Sequence, residues 1–143
     1  MAYVYSQQSG APSGGDTSAP TTGGAAIGIK NWGVFITAQS SAEKFVMAPP
    51  TAGCVKYIVF NSSSSVATAV KFSTNAAQTV SLLSPTGATY TMISRAAGVS
   101  TVAATVVQLI GLSATQWLLA NVWPTTTTPT AATFGGGITG STT

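Results

Sequence analysis

The chain has 143 residues, five Lys or Arg against two Asp or Glu, a net charge of +3 and no histidine. That length gives one domain, and a charged fraction of 5%, far below the usual ~25%, describes a neutral, hydroxyl-rich surface. Such a surface suits a chain packed into an assembly better than a free monomer, the alternative being an extracellular domain with a neutral surface. The bases Lys30, Lys44, Lys56, Lys71 and Arg95 are nowhere adjacent, so the cluster that phosphate binding needs is missing and nucleic acid is excluded as a partner.

Residues 1–26 read as an extended N-terminal arm. Ser6 to Ala26 is rich in Gly, Ser, Thr, Pro and Ala and has almost nothing to bury. Tyr3 and Tyr5 differ from this background and read as an anchoring peg that binds a partner, against the plainer reading of two chance tyrosines in a terminus. The opening M-A-Y-V-Y-S-Q-Q has neither the basic nor the apolar region of a secretion signal, which predicts a product assembled inside a cell.

Residues 27–123 read as a β-sandwich core of about eight short strands. W-G-V-F-I-T at Trp32 to Thr37 and K-F-V-M at Lys44 to Met47 give the first two, and Pro49 and Pro50 then interrupt any ladder because neither donates a backbone hydrogen bond. C-V-K-Y-I-V-F-N at Cys54 to Asn61 is a strongly β-forming third strand. The alternating Val66 to Phe72 is a fourth, and the serines 62–65 between them predict a hairpin. Thr79 to Leu83 and Thr89 to Ser94 supply the fifth and sixth, joined by the proline-led S-P-T-G turn at Ser84 to Gly87. Phe60 and Phe72 are expected core anchors.

The longest apolar run, Val102 to Trp123, carries two of the three tryptophans and predicts a hairpin: a strand to Ile110, a turn over Gly111 to Thr115, and a return strand from Gln116 to Val122. In that register Trp117 and Leu119 share the core face. A membrane helix is the rival, since no charge follows Ala96 and the run is long enough to span a ~30 Å hydrocarbon core. Gln108, Ser113, Thr115, Gln116 and Asn121 oppose it by placing several polar groups in lipid, and no Lys or Arg flank follows Trp123. The reading is therefore a strand pair and no membrane partner, with a small membrane protein as the third and weakest alternative.

Residues 124–143 read as an extended Thr/Pro/Gly-rich C-terminal arm. Its glycines 135–137 argue against a stable element of its own, and Phe134 and Ile138 are its apolar anchors for a partner surface.

Catalytic chemistry is sparse. Without histidine the commonest general base is missing, and the acids Asp16 and Glu43 are too far apart in sequence to read as the paired carboxylates of a glycosidase. Cys54 is the single cysteine, which rules out an internal disulfide and a Cys-based zinc site and reads as a small buried hydrophobe. No phosphate-binding loop or dinucleotide fingerprint occurs. The chain reads as a non-enzyme with no catalytic residues, cofactor or metal.

Three segments carry a family resemblance: I-T-A-Q-S-S-A-E-K-F-V-M-A-P-P from Ile36, K-Y-I-V-F-N-S-S-S-S-V from Lys56, and V-V-Q-L-I-G-L-S-A-T-Q-W-L-L-A-N from Val106. Together they resemble the T-A-x-x-S-G-K-x-F-x-L, F-x-F-V-x-x-x-S and V-x-L-I-x-D-G-T-x-W-x-V patterns of small β-rich virion proteins of tailed bacteriophages. Gln116 and Trp117 fall on the x-W pair, while Gly111 to Thr115 replaces the D-G-T turn and leaves the turn type open. Eight short strands with turn signals about every 8 to 12 residues point to a jelly-roll-like sandwich, and the resemblance implies a structural role on the virion, with assembly in the host cytoplasm.

Two functions follow as expectations. The first is a capsid decoration, or cement, protein that binds the major capsid protein of the assembled head as a homo-oligomer, a trimer in the simplest arrangement. The second is a fibre or tail-tip module that recognises a host glycan or receptor. Arms at both ends favour the first, because a clamp needs reach across subunits, whereas Trp32, Tyr57 and Tyr90 are scattered along strands rather than gathered on loops.

Overall fold

The computed structural model describes residues 7–8, 26–27, 33–36, 43–61, 68–72, 80–95, 104–124 and 132–142. These residues form thirteen strands and no helix. In chain order the strands are β1 (Gln7–Gln8), β2 (Ala26–Ile27), β3 (Gly33–Ile36), β4 (Glu43–Met47), β5 (Val55–Asn61), β6 (Thr68–Lys71) and β7 (Ser81–Leu83). They continue with β8 (Thr89–Tyr90), β9 (Met92–Arg95), β10 (Ala104–Gly111), β11 (Gln116–Trp123), β12 (Thr133–Gly135) and β13 (Ile138–Ser141). A seven-stranded sheet has the order β1-β3-β5-β10-β11-β7-β8, and a six-stranded sheet the order β12-β13-β9-β6-β4-β2.

Both sheets are mixed. The pairs β1–β3, β3–β5 and β7–β11 in the first sheet and β2–β4 and β4–β6 in the second run parallel. A jelly roll is built from antiparallel Greek keys, so these pairs depart from the ladder such a fold uses. Inward side chains from both sheets meet in one core: Ile58, Phe60, Leu82, Val107, Leu109, Trp117 and Leu119 from one, Phe45, Met47, Val70, Ile93 and Ile138 from the other. All four expected anchors, Phe60, Phe72, Trp117 and Leu119, are at most 1% exposed. Two mixed sheets over a shared core are consistent with a β-sandwich.

The hairpin read from Val102 to Trp123 is the β10–β11 pair, and no helix among the described residues is long and apolar enough to cross a membrane. Its alternation is strict along β10 and slips once along β11, where Gln108 pairs with Asn121 but Leu109 with Leu119. Ala120 is the extra residue of a β-bulge. The buried set therefore moves from Trp117 and Leu119 to Val122, leaving Asn121 and Trp123 outside.

Four expectations need correction. The eight strands expected in residues 27–123 are joined by short pairings near both ends of the chain, β1, β2, β12 and β13, which bring the strands among the described residues to thirteen once the sixth is counted as two. β5 and β6 are not a hairpin: β5 pairs with β3 and β10, β6 with β4 and β9, in opposite sheets. The single strand expected at Thr89 to Ser94 is two, since the chain changes sheet at Thr91, whose carbonyl accepts from the Phe72 amide and whose amide donates to Ser141.

The C-terminal segment is the fourth. Thr133 to Ser141 forms the β12–β13 hairpin, and β13 pairs along its length with β9. Gly135, Gly136 and Gly137 all have positive φ, at 117°, 53° and 76°, a backbone path that L-residues with a Cβ resist. The glycines thus build the turn that composition alone took as a reason for no structure. Phe134 and Ile138, expected to anchor an arm on a partner, are 6% and 0% exposed in this protein's own core. At the other end, Gln7–Gln8 and Ala26–Ile27 add short parallel pairings to the two sheet edges. Tyr3 and Tyr5 lie outside the described residues.

Candidate interaction face

The two outer faces of the sandwich differ in chemistry. On the seven-stranded sheet three rows of outward residues are set by strand register, with Gln116 and Ser81 paired beyond the first. Val55, Ile110, Leu118 and Leu83 sit side by side across β5, β10, β11 and β7. Val59, Val106 and Trp123 form a second apolar row. Between them runs a polar row, Tyr57, Gln108 and Asn121, in register on three neighbouring strands.

That polar row is closed on itself. Asn121 Nδ2 donates to Gln108 Oε1 at 2.7 Å, and Gln108 Nε2 donates to the Tyr57 hydroxyl at 3.0 Å. Both ends of the Gln108 amide are satisfied within the face. Val55, Trp123 and Leu112, the last in the β10–β11 turn, are the large apolar side chains that stand out furthest, at 40–42% exposed. Among the described residues whose side chains are placed, no charged one lies on this face.

The outer face of the six-stranded sheet is polar where it is open. Ser94 and Thr139 hydroxyls meet at 3.2 Å across β9 and β13, Ser141 and Met92 are half-buried, and Lys71 is half-exposed on β6. Val46 and Ala69 on the same side are buried. Lys71, Ser94 and Thr139 therefore lie on the side opposite the apolar rows.

Two further cations point inward. Lys56 shares the inward phase of Ile58 and Phe60 on β5 and is 0% exposed. Burial pulls its ammonium down from the usual 10.5 to about 8, against a smaller upward pull from Cys54. Arg95 shares the inward phase of Ile93 and is 4% exposed; burial lowers its pKa too, and its Nε is buried without a hydrogen bond although the residue is engaged elsewhere. Its backbone is in register with Thr68 and, through Thr68, with Glu43 two strands away. Sequence reading missed Lys56, yet its parity with Ile58 and Phe60 was the available signal.

The Lys56 amine is enclosed, Cys54 is half-buried against the core, and no group of three or more His, Cys, Asp or Glu converges among the described residues. Chemically, what the surface offers is a place to exclude water. No family model, no curated protein and no solved structure matches the chain.

Proposed function

We propose that this protein is a non-enzymatic structural component of a virion: a decoration protein, a jelly-roll-like two-sheet body in homo-oligomeric form, that binds the major capsid protein on the assembled phage head and stabilises the shell. The observation that carries the reading is the uncharged outer face of the seven-stranded sheet, with its apolar rows of Val55, Ile110, Leu118 and Leu83 and of Val59, Val106 and Trp123. Large apolar patches on a soluble chain mark surfaces that are covered in use. A charged fraction of 5% leaves few charged groups to lose water when many copies pack on one lattice.

The shell contact is assigned to the N-terminal segment with Tyr3 and Tyr5. Phe134 and Ile138 have no part in it, because they are core residues. Binding confined to assembled shells would stabilise them by linkage. Mass spectrometry of purified particles tests the reading: a fixed copy number relative to the major shell protein supports it, and absence from heads, or presence only in tails or fibres, overturns it.

A further inference from the structure

We infer that the outer face of the seven-stranded sheet is occupied by the same face of a second copy, two molecules packing about a two-fold axis. The inference deepens the assembly reading above and names the partner of its apolar face.

Charge placement selects the occupant. Each copy carries +3, so two copies repel unless they meet where charge is farthest away. Lys71 projects from the opposite sheet, Lys56 and Arg95 are enclosed, and no placed charged side chain stands among the three rows. The sandwich thickness, about 10 Å between sheets, then separates Lys71 of one copy from the joint.

Polar bookkeeping points the same way. Burying Tyr57, Gln108 and Asn121 would be costly if each relied on water. Here Asn121 donates to Gln108 and Gln108 to Tyr57, so the row enters a dry joint with most of its hydrogen bonds already made. An apolar row lies on each side of it, and a two-fold rotation about an axis through the middle row exchanges the flanking rows, so that aliphatic side chains meet aliphatic or indole surface.

Size sets the strength. The rows lie on four strands, β5, β10, β11 and β7, and at about 4.8 Å spacing over a strand length of about 16 Å they give a footprint of roughly 300 Å² per copy. Leu112 and side-chain relief add to this, but the total stays under the ~800 Å² per partner of a standard interface. The pair is accordingly smaller than a standard interface and is expected to form reversibly with concentration.

Sedimentation velocity on the full chain from 1 to 200 µM tests this. The expected result is a concentration-dependent dimer, weakened at least tenfold by Leu118→Lys or Val106→Lys, each of which places like charges across the joint, and unchanged by Thr139→Lys on the opposite sheet. Circular dichroism melts of each variant confirm that the fold is retained; should Leu118→Lys fail to fold, Trp123→Ser replaces it. A monomer throughout, a trimer, or a dimer indifferent to the outer-face substitutions overturns the inference. Co-sedimentation with empty shells reports the decoration reading separately: a monomer that still binds shells sinks only the pairing, and a dimer that ignores shells sinks only the decoration role.

Discussion

The indole Nε1 of Trp117 donates a hydrogen bond to the carbonyl oxygen of Ala48 at 3.2 Å. Trp117 belongs to the seven-stranded sheet, while Ala48 follows β4 of the six-stranded one, so this bond ties the two layers through a fully buried ring. Thr105 does the same at the other end of β10, donating to the Gly136 carbonyl at 2.7 Å. The rings of Tyr90 and Phe134 meet edge-on with centroids 5.5 Å apart. Each contact joins one sheet to the other.

Trp117→Ala should therefore cost about 3–5 kcal/mol, the usual range for emptying a buried aromatic site. Trp117→Phe keeps most of the volume and loses the bond to Ala48, at about 1 kcal/mol for the bond plus a smaller packing loss. Urea denaturation of both variants checks the order; equal stabilities would show that the ring is not a core anchor.

Removal of residues 132–142 is expected to unfold the protein. The deletion takes Phe134 and Ile138 out of the core and strips β9 of its partner β13. At ~1.5–3 kcal/mol for each large buried apolar side chain, the loss is a sizeable part of the ~5–15 kcal/mol that stabilises a small domain. A truncated chain with wild-type melting would place the hairpin outside the cooperative unit.

Gly111 ends β10 where the chain passes close to the turn before β5. Its amide donates to the Cys54 carbonyl at 2.8 Å, its carbonyl accepts from Gly53 at 2.8 Å, and a Cβ here would collide with the Thr51 carbonyl and lie 2.8 Å from Cys54 Sγ. Backbone atoms cannot move aside cheaply, so Gly111→Ala should destabilise by about 2–3 kcal/mol, as overpacking of a tight site does. Thermal melting reads this directly, and an unchanged midpoint would contradict the close approach.

Lys56 makes stability depend on pH in a defined sense. Its pKa is about 8 in the folded protein and near 10.5 when exposed, so between these values the unfolded chain binds more protons and stability rises with pH. Below about pH 8 both states are charged and the full penalty of burial, on the order of 3 kcal/mol at ~1.4 kcal/mol per tenfold, is present. The wild-type unfolding free energy should increase from pH 7.5 to 9.5. Lys56→Met should be at least as stable as wild type at pH 7.5 and show a flatter profile; parallel profiles would mean that the amine is solvated.

The legible parts of the sequence were those governed by local alternation. β3, β4, β5, β7, β10 and β11 lie within one or two residues of their predicted spans, because Val, Ile and aromatic residues recur at period two between Gly, Pro and Ser turns. Sheet membership was not legible. Ser62 to Ser65 looks like a hairpin turn, but β5 and β6 bury their faces in opposite sheets, a choice made by partners such as β10 and β9 that are distant in sequence. The last hairpin was missed because its flanks are Thr-rich and its three glycines were weighed as flexibility rather than as positive-φ turn positions. The outer face was half legible: Val55, Ile110 and Leu118 show as apolar in the sequence, but their alignment in one row follows from register alone.

Hydroxyl-radical footprinting, comparing the assembled protein with a dilute solution, tests the central claim most directly. Trp123 and Leu118 report the outer face of the seven-stranded sheet, and Met92 reports that of the six-stranded sheet. Covering of the apolar face predicts a several-fold fall in modification of Trp123 and Leu118 on assembly, with Met92 modified as before. Protection of Met92 with Trp123 and Leu118 left reactive would contradict the account.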